Sequence, residues 1–142
     1  MPWGGLFNFV HVVAFAGWGL LFLAPRGPRV AAYVLYLCVG LLCLAYTAMF
    51  VALAGNLAPG DFMSIAGIRK LFASDGGVVL GWTHYLAFDL FIGQWIAKDA
   101  DHKRFSRIAQ IPILLLTLFA GPIGLLIWLV IRERRARAFA KG

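Results

Sequence analysis

Four long apolar runs limit this chain more than any other feature. They cover residues 5–23, 31–54, 78–97 and 108–131, and each has the length needed to cross a bilayer as a helix, about 17–25 residues. Backbone that crosses lipid must satisfy its own hydrogen bonds, which leaves helices or a closed barrel. The runs are continuously apolar rather than alternating, so they predict helices. Composition agrees. The 142 residues are 62% hydrophobic and 13% charged, with a mean hydropathy of +0.85, whereas soluble domains are about half apolar and a quarter charged.

The expected fold is all-α: a polytopic membrane protein of four transmembrane helices in a single domain over residues 1–142. The first run reads as a retained helix rather than a signal peptide. Its flank Met1-Pro-Trp-Gly-Gly has no side-chain charge, and Pro25 follows Ala24 where cleavage would fall. Between the second and third runs, residues 61–74 predict a short interfacial helix with Asp61 as N-cap after Pro59-Gly60. Phe62, Ile65, Ile68 and Phe72 share its apolar side, so it is expected to float among headgroups rather than shield a pocket.

The net charge of +7 raises nucleic acid as a partner, but the cations flank the apolar runs. That placement suits anionic lipid headgroups and gives no basic face on a soluble module. Four crossings put both termini on one side. Lys and Arg then number seven with the termini (Arg69, Lys70, Arg132, Arg134, Arg135, Arg137, Lys141) against six opposite (Arg26, Arg29, Lys98, Lys103, Arg104, Arg107). The dense tail from Arg132 favours termini inside. Cys38 and Cys43 fit neither a redox pair nor a zinc site and read as small buried thiols. Gly40 and Thr47 are expected to allow close helix contact, and Pro112 and Gly121-Pro122 to kink the fourth helix.

The candidate chemistry lies in the third run. Asp89 sits near its middle, where a carboxylate costs about 2.5–3.5 kcal/mol on insertion scales, so its side chain is expected to face the protein interior. His84 is close by in sequence, yet about 140° from Asp89 around the helix axis. Trp82, Tyr85 and Asp89 fall on one face, and His84, Phe88, Phe91 and Trp95 on another. Two roles fit His84 and Asp89: a reactive site, or hydrogen-bonded locks between helices. His11 in the first helix lies at a depth similar to His84, which raises a bis-histidine haem site, and packing with His11 donating to a carbonyl is the alternative. Asp99, Asp101 and His102 read as a solvated connection with local ion pairs rather than a metal site.

The chain resembles the abscisic-acid-deficiency-four-like family, small integral membrane proteins whose plant members are required to make the allenic carotenoid neoxanthin. The resemblance rests on Ile68-Arg-Lys-Leu-Phe-Ala-Ser, Trp82-Thr-His84, Asp89-Leu-Phe91, Asp99, Gly121-Pro-Ile-Gly124 and Ala24-Pro25. It implies a carotenoid isomerase. A 5,6-epoxide on an end ring opens while a proton leaves the adjacent polyene carbon, giving an allene and a tertiary alcohol. The step needs an acid and a base, for which the resemblance offers Asp89 and His84, with Trp82, Tyr85, Phe91, Trp95 and Asp99 lining the substrate. No metal or other cofactor is implied. The chain reads as a compact bacterial-type member in an inner membrane, alone or as a homo-oligomer or part of a membrane complex. Two alternatives stand beside the isomerase: a non-catalytic pigment-binding or assembly subunit, and a haem- or quinone-binding membrane protein.

Overall fold

A computed structural model describes residues 2–139, with side chains through Arg134. The side chains of Arg135 and Arg137, and all of Lys141, lie outside the described residues. The chain is all-α. Helix α1 spans Trp3–Leu23 and α2 spans Pro28–Asn56. These two are long and apolar enough to cross a membrane. The short helix α3 is Ile65–Leu71, α4 is Asp75–His102, α5 is Arg107–Phe119 and α6 is Gly121–Phe139.

Local chemistry sets these boundaries. Ala24 is extended and ends α1, and Pro28 opens α2, where its missing N–H has no intrahelical partner to lose. Ser64, Ser74 and Ser106 cap α3, α4 and α5, each hydroxyl accepting the N–H three residues on. Ser64, not Asp61, is therefore the cap of α3. Asp61 belongs to a separate turn over Pro59–Met63, where its carboxylate accepts the Ala58 N–H at 3.0 Å and a Lys70 ammonium proton at 3.2 Å. The Ala58 N–H, and then Lys70, hold that carboxyl below the ordinary carboxylate range.

Helix α4 is the axis of the bundle. Helix α1 runs parallel to it. The contacts climb in order from Trp3 against Gly76, through His11 with Trp82 and Trp18 with Gly93, to Arg26 with Asp101. Small residues seat large ones reciprocally: a Cβ on Gly93 would lie 2.8 Å from Trp18 Cζ3, and one on Gly17 3.1 Å from Leu90 Cδ1. Helix α2 runs antiparallel. Gln94 donates to the Ala31 carbonyl at 2.6 Å, the rings of Tyr46 and His84 lie 5.6 Å apart, and Leu53 meets Gly76. Residues Tyr33–Val39 of α2 are π-helical, and the Gln94 bond anchors the turn that precedes them. Gly40 and Thr47 take no part in this packing. Gly40 faces only its own helix, and Thr47 is exposed and bonds its own backbone. Cys38 is buried as expected, while Cys43 is exposed.

The fourth run is not one helix. It breaks at Ala120 (φ −149°, ψ 68°) and folds back on itself. The rings of Phe105 and Trp128 meet edge to face at 5.6 Å, and a Cβ on Gly124 would overlap Thr117. A straight helix would hold Phe105 and Trp128 about 34 Å apart. Helix α5 continues through Pro112, so the expected kink there is replaced by a reversal at Ala120. The hairpin runs beside α4 from its C-terminal end, where Gln110 donates to Asp101 at 2.9 Å, to its middle, where Gly121 touches Asp89. It then returns until Arg132 meets Asp99 at 2.8 Å. The described ends of the chain therefore lie at opposite ends of the bundle, not at one end as four crossings would put them.

Polarity is inverted relative to a water-soluble bundle. Asp89, Thr83, Gln94, Gln110 and Thr117 are buried, while Leu23, Tyr36 and Phe119 are at least 75% exposed.

Candidate functional site

The candidate residues separate onto different sides of α4. His84 borders a half-open cavity of about 440 Å³ between α2, the segment carrying α3, and α4. Aromatic rings build it. Tyr46 stacks on Phe50 at 6.1 Å and Phe88 stacks on His84 at 4.6 Å. Phe72 lies on Gly81, whose Cβ, were there one, would overlap the ring and sit 2.7 Å from its Cζ. Phe62, Ile68 and Phe72 face this cavity, so the α3 segment covers a pocket mouth rather than floating free. The polar groups on the lining are His84 and the Tyr46 hydroxyl, with Asn56, Lys70 and Ser74 contributed by the covering segment and its flanks.

Asp89 faces the hairpin. It is 8% exposed, and its Oδ2 is buried without a hydrogen-bond partner. Gly121, first residue of α6, packs on the carboxylate so closely that a Cβ there would overlap it and sit 2.8 Å from Cγ. One turn earlier, the Tyr85 hydroxyl donates to the Phe119 carbonyl at 2.8 Å, which ties α4 to the last turn of α5. Tyr85 stacks on Trp82 at 5.2 Å, and Trp82 Nε1 donates to His11 Nε2 at 3.0 Å. His11 Nδ1 in turn donates to the Phe7 carbonyl at 2.8 Å. Both His11 nitrogens are thus engaged, and the two histidines occupy different sides of α4. The arrangement holds no bis-histidine pair for haem.

Replacing Gly121 by Ala should lower the thermal midpoint of the purified protein, by the equivalent of about 1–3 kcal/mol for overpacking. Combining it with Asp89→Ala should recover most of that loss. A Gly121→Ala protein as stable as the parent would show that the hairpin tip does not press on Asp89.

Asp99 lies beyond the apolar part of α4 and serves as a junction. Arg132 Nε reaches it at 2.8 Å, Lys103 Nζ at 2.9 Å and Trp128 Nε1 at 3.1 Å. The Arg132 hydrogen bond, aided by Lys103, pulls its pKa down to about 2. Arg132 also sits 5.8 Å over the ring of Trp95. Phe91, Trp95 and Asp99 share a shallower hollow of about 320 Å³. The structure therefore brings Trp82, Tyr85 and Asp89 together, and Phe91, Trp95 and Asp99 together, and sets His84 apart from both groups. Tyr46 and Phe50 were not singled out in the sequence. The four-residue spacing of Tyr46 and Phe50, which puts them on one helix face, was the available signal. No three His, Cys, Asp or Glu side chains gather into a metal site among the described residues.

Comparison with curated proteins and with solved structures finds no match. A family model does match. The model described as ABA DEFICIENT 4-like covers residues 5–128, from the first turns of α1 to Trp128 in the returning arm of the hairpin. It spans the His84 cavity, Asp89 and the Gly121 turn alike, and the chain belongs to the ABA DEFICIENT 4-like family.

Proposed function

We propose that this chain is a membrane isomerase that binds the oxygenated end ring of a carotenoid in the His84 cavity. The observation that carries the proposal is the cavity itself. It is lined by aromatic and aliphatic side chains, is of the size that holds a small-molecule ring system, and has one imidazole on its wall with polar groups at its mouth. A ring hydroxyl at the mouth would lie beside Ser74 and Asn56, with the polyene running inward along α4. His84 is nine residues into α4, about 13 Å from its start.

Imidazole can both give and take a proton near neutrality. In this mechanism it donates to the epoxide oxygen as the ring C–O bond opens, then accepts the proton from the adjacent polyene carbon. The product is an allenic tertiary alcohol of unchanged mass, and the side chain ends as it began. Asp89 then has a positioning role, holding the hairpin against α4. Three crossings by α1, α2 and α4, with α5 and α6 as a half-depth hairpin, place the apolar exterior in lipid.

The test is the pigment profile of a host that makes 5,6-epoxy carotenoids and expresses this chain. A new isomer of the same mass, with the allene absorption in the infrared, is the expected result. Unchanged pigment that co-purifies with the protein would reassign it as a non-catalytic pigment binder. Unchanged pigment that does not co-purify would remove the carotenoid reading altogether.

A further inference from the structure

At the other end of the bundle, a second concavity of about 420 Å³ opens between the turn after α1, the start of α2 and the last turns of α4. Its walls are apolar over Leu35 and Tyr36, and its rim carries Arg26, Lys98 and His102. The nearby carboxylates are already neutralised. Asp101 accepts from Arg26 at 2.8 Å, and Asp99 accepts from Arg132 and Lys103. Lys98 has no carboxylate within ion-pair range among the described residues. His102 uses Nδ1 on the Lys98 carbonyl at 3.0 Å, leaving Nε2 without a partner. Arg26 Nε is buried and also unpartnered. Helix α2 begins at this rim without a side-chain cap. Lys98 and His102 border, in addition, the adjoining hollow beside Phe91 and Trp95. The two groups therefore stand on a ridge between two depressions, the second lined by Leu35, Phe91 and Trp95 together with Gln94 and Asp99.

A basic ridge flanked by two hollows with apolar walls at Leu35, Tyr36, Phe91 and Trp95 fits an anion that carries two apolar chains. We propose that this end of the bundle binds an anionic phospholipid, its phosphate held by Lys98, His102 and Arg26 and its acyl chains lying in the two hollows along α4. The attraction is that of basic groups to a negatively charged leaflet, here focused by a built concavity. The site is distinct from the His84 cavity and does not depend on it.

Native mass spectrometry of the full chain, loaded with phosphatidylglycerol or phosphatidylcholine, tests this. The protein should retain phosphatidylglycerol in preference. The double variant K98Q/H102Q should cut that retention by about fivefold or more, the weight of a cation at an anionic surface. R29Q, at the same end but not among the residues lining the concavity, should leave retention unchanged. Equal retention of the two lipids overturns the proposal. So does a loss in R29Q as large as in the double variant, which would indicate diffuse attraction. Displacement of the lipid by excess inorganic phosphate would also overturn it, because the headgroup charge alone would then suffice. Arg26 is left intact in these variants because it also ties Asp101 and Gln110 together.

Discussion

A reporter fused to the N-terminus and one fused to the C-terminus should report from opposite sides of the membrane, with the C-terminus inside. The expectation follows from the reversal at Ala120. With the fourth run folded back, Arg132 and Arg134 join Arg26, Arg29, Lys98, Lys103, Arg104 and Arg107 at one end of the bundle. Only Arg69 and Lys70 remain at the other among the described side chains. A near-even division of charge becomes eight against two, and the positive-inside rule then assigns the crowded end to the cytoplasm. Paired fusions to an enzyme active only outside and a fluorophore active only inside would check this. Both termini reporting from one side would mean that the hairpin opens and crosses in the membrane.

His84→Ala should reduce epoxide isomerisation by about a hundredfold or more, the lower range for loss of a general acid–base group. The protein should still insert, because His84 lines a cavity and is not part of the packed core. Asp89→Asn should retain most of the activity. The amide keeps the shape that fits Gly121, and it gains a donor that the carboxylate lacks. Product formation per folded protein, measured in pigment extracts, distinguishes the two. An inactive Asp89→Asn protein beside an active His84→Ala protein would move the chemistry to the hairpin tip and leave the cavity as a binding surface only.

Much of this architecture was legible because long, continuously apolar runs leave few choices. Helix positions followed from run length, and the inward direction of Asp89 followed from what its exposure would cost. The reversal at Ala120 was not legible. Apolar length records how much chain avoids water and says nothing about its direction, and Gly121-Pro122 serves equally for a kink and for a turn. The signal that separates them is Gly124, which makes room for Thr117 across the hairpin, and it has meaning only once the two arms are seen side by side. The α3 segment was ambiguous for a similar reason. An apolar face such as Phe62, Ile68 and Phe72 is satisfied by acyl chains or by Tyr46 and His84 alike. The expectation that His84 and Asp89 act on one substrate came from the family resemblance, not from helix geometry. Their separation around the helix, about 140°, already argued for different partners, and α2 and α5–α6 supply those partners.

The hairpin also constrains how the protein is made. Helix α5 has 13 residues, about 20 Å of helix, against a hydrocarbon core of about 30 Å. Helix α5 is therefore too short to span such a core alone. The hairpin's position depends on Asp89, Tyr85 and Asp99 of α4, which must be in place first. Synthesis supplies that order, since α4 leaves the ribosome first. A chain truncated before Arg107 lacks the hairpin and leaves the Asp89 flank of α4 uncovered.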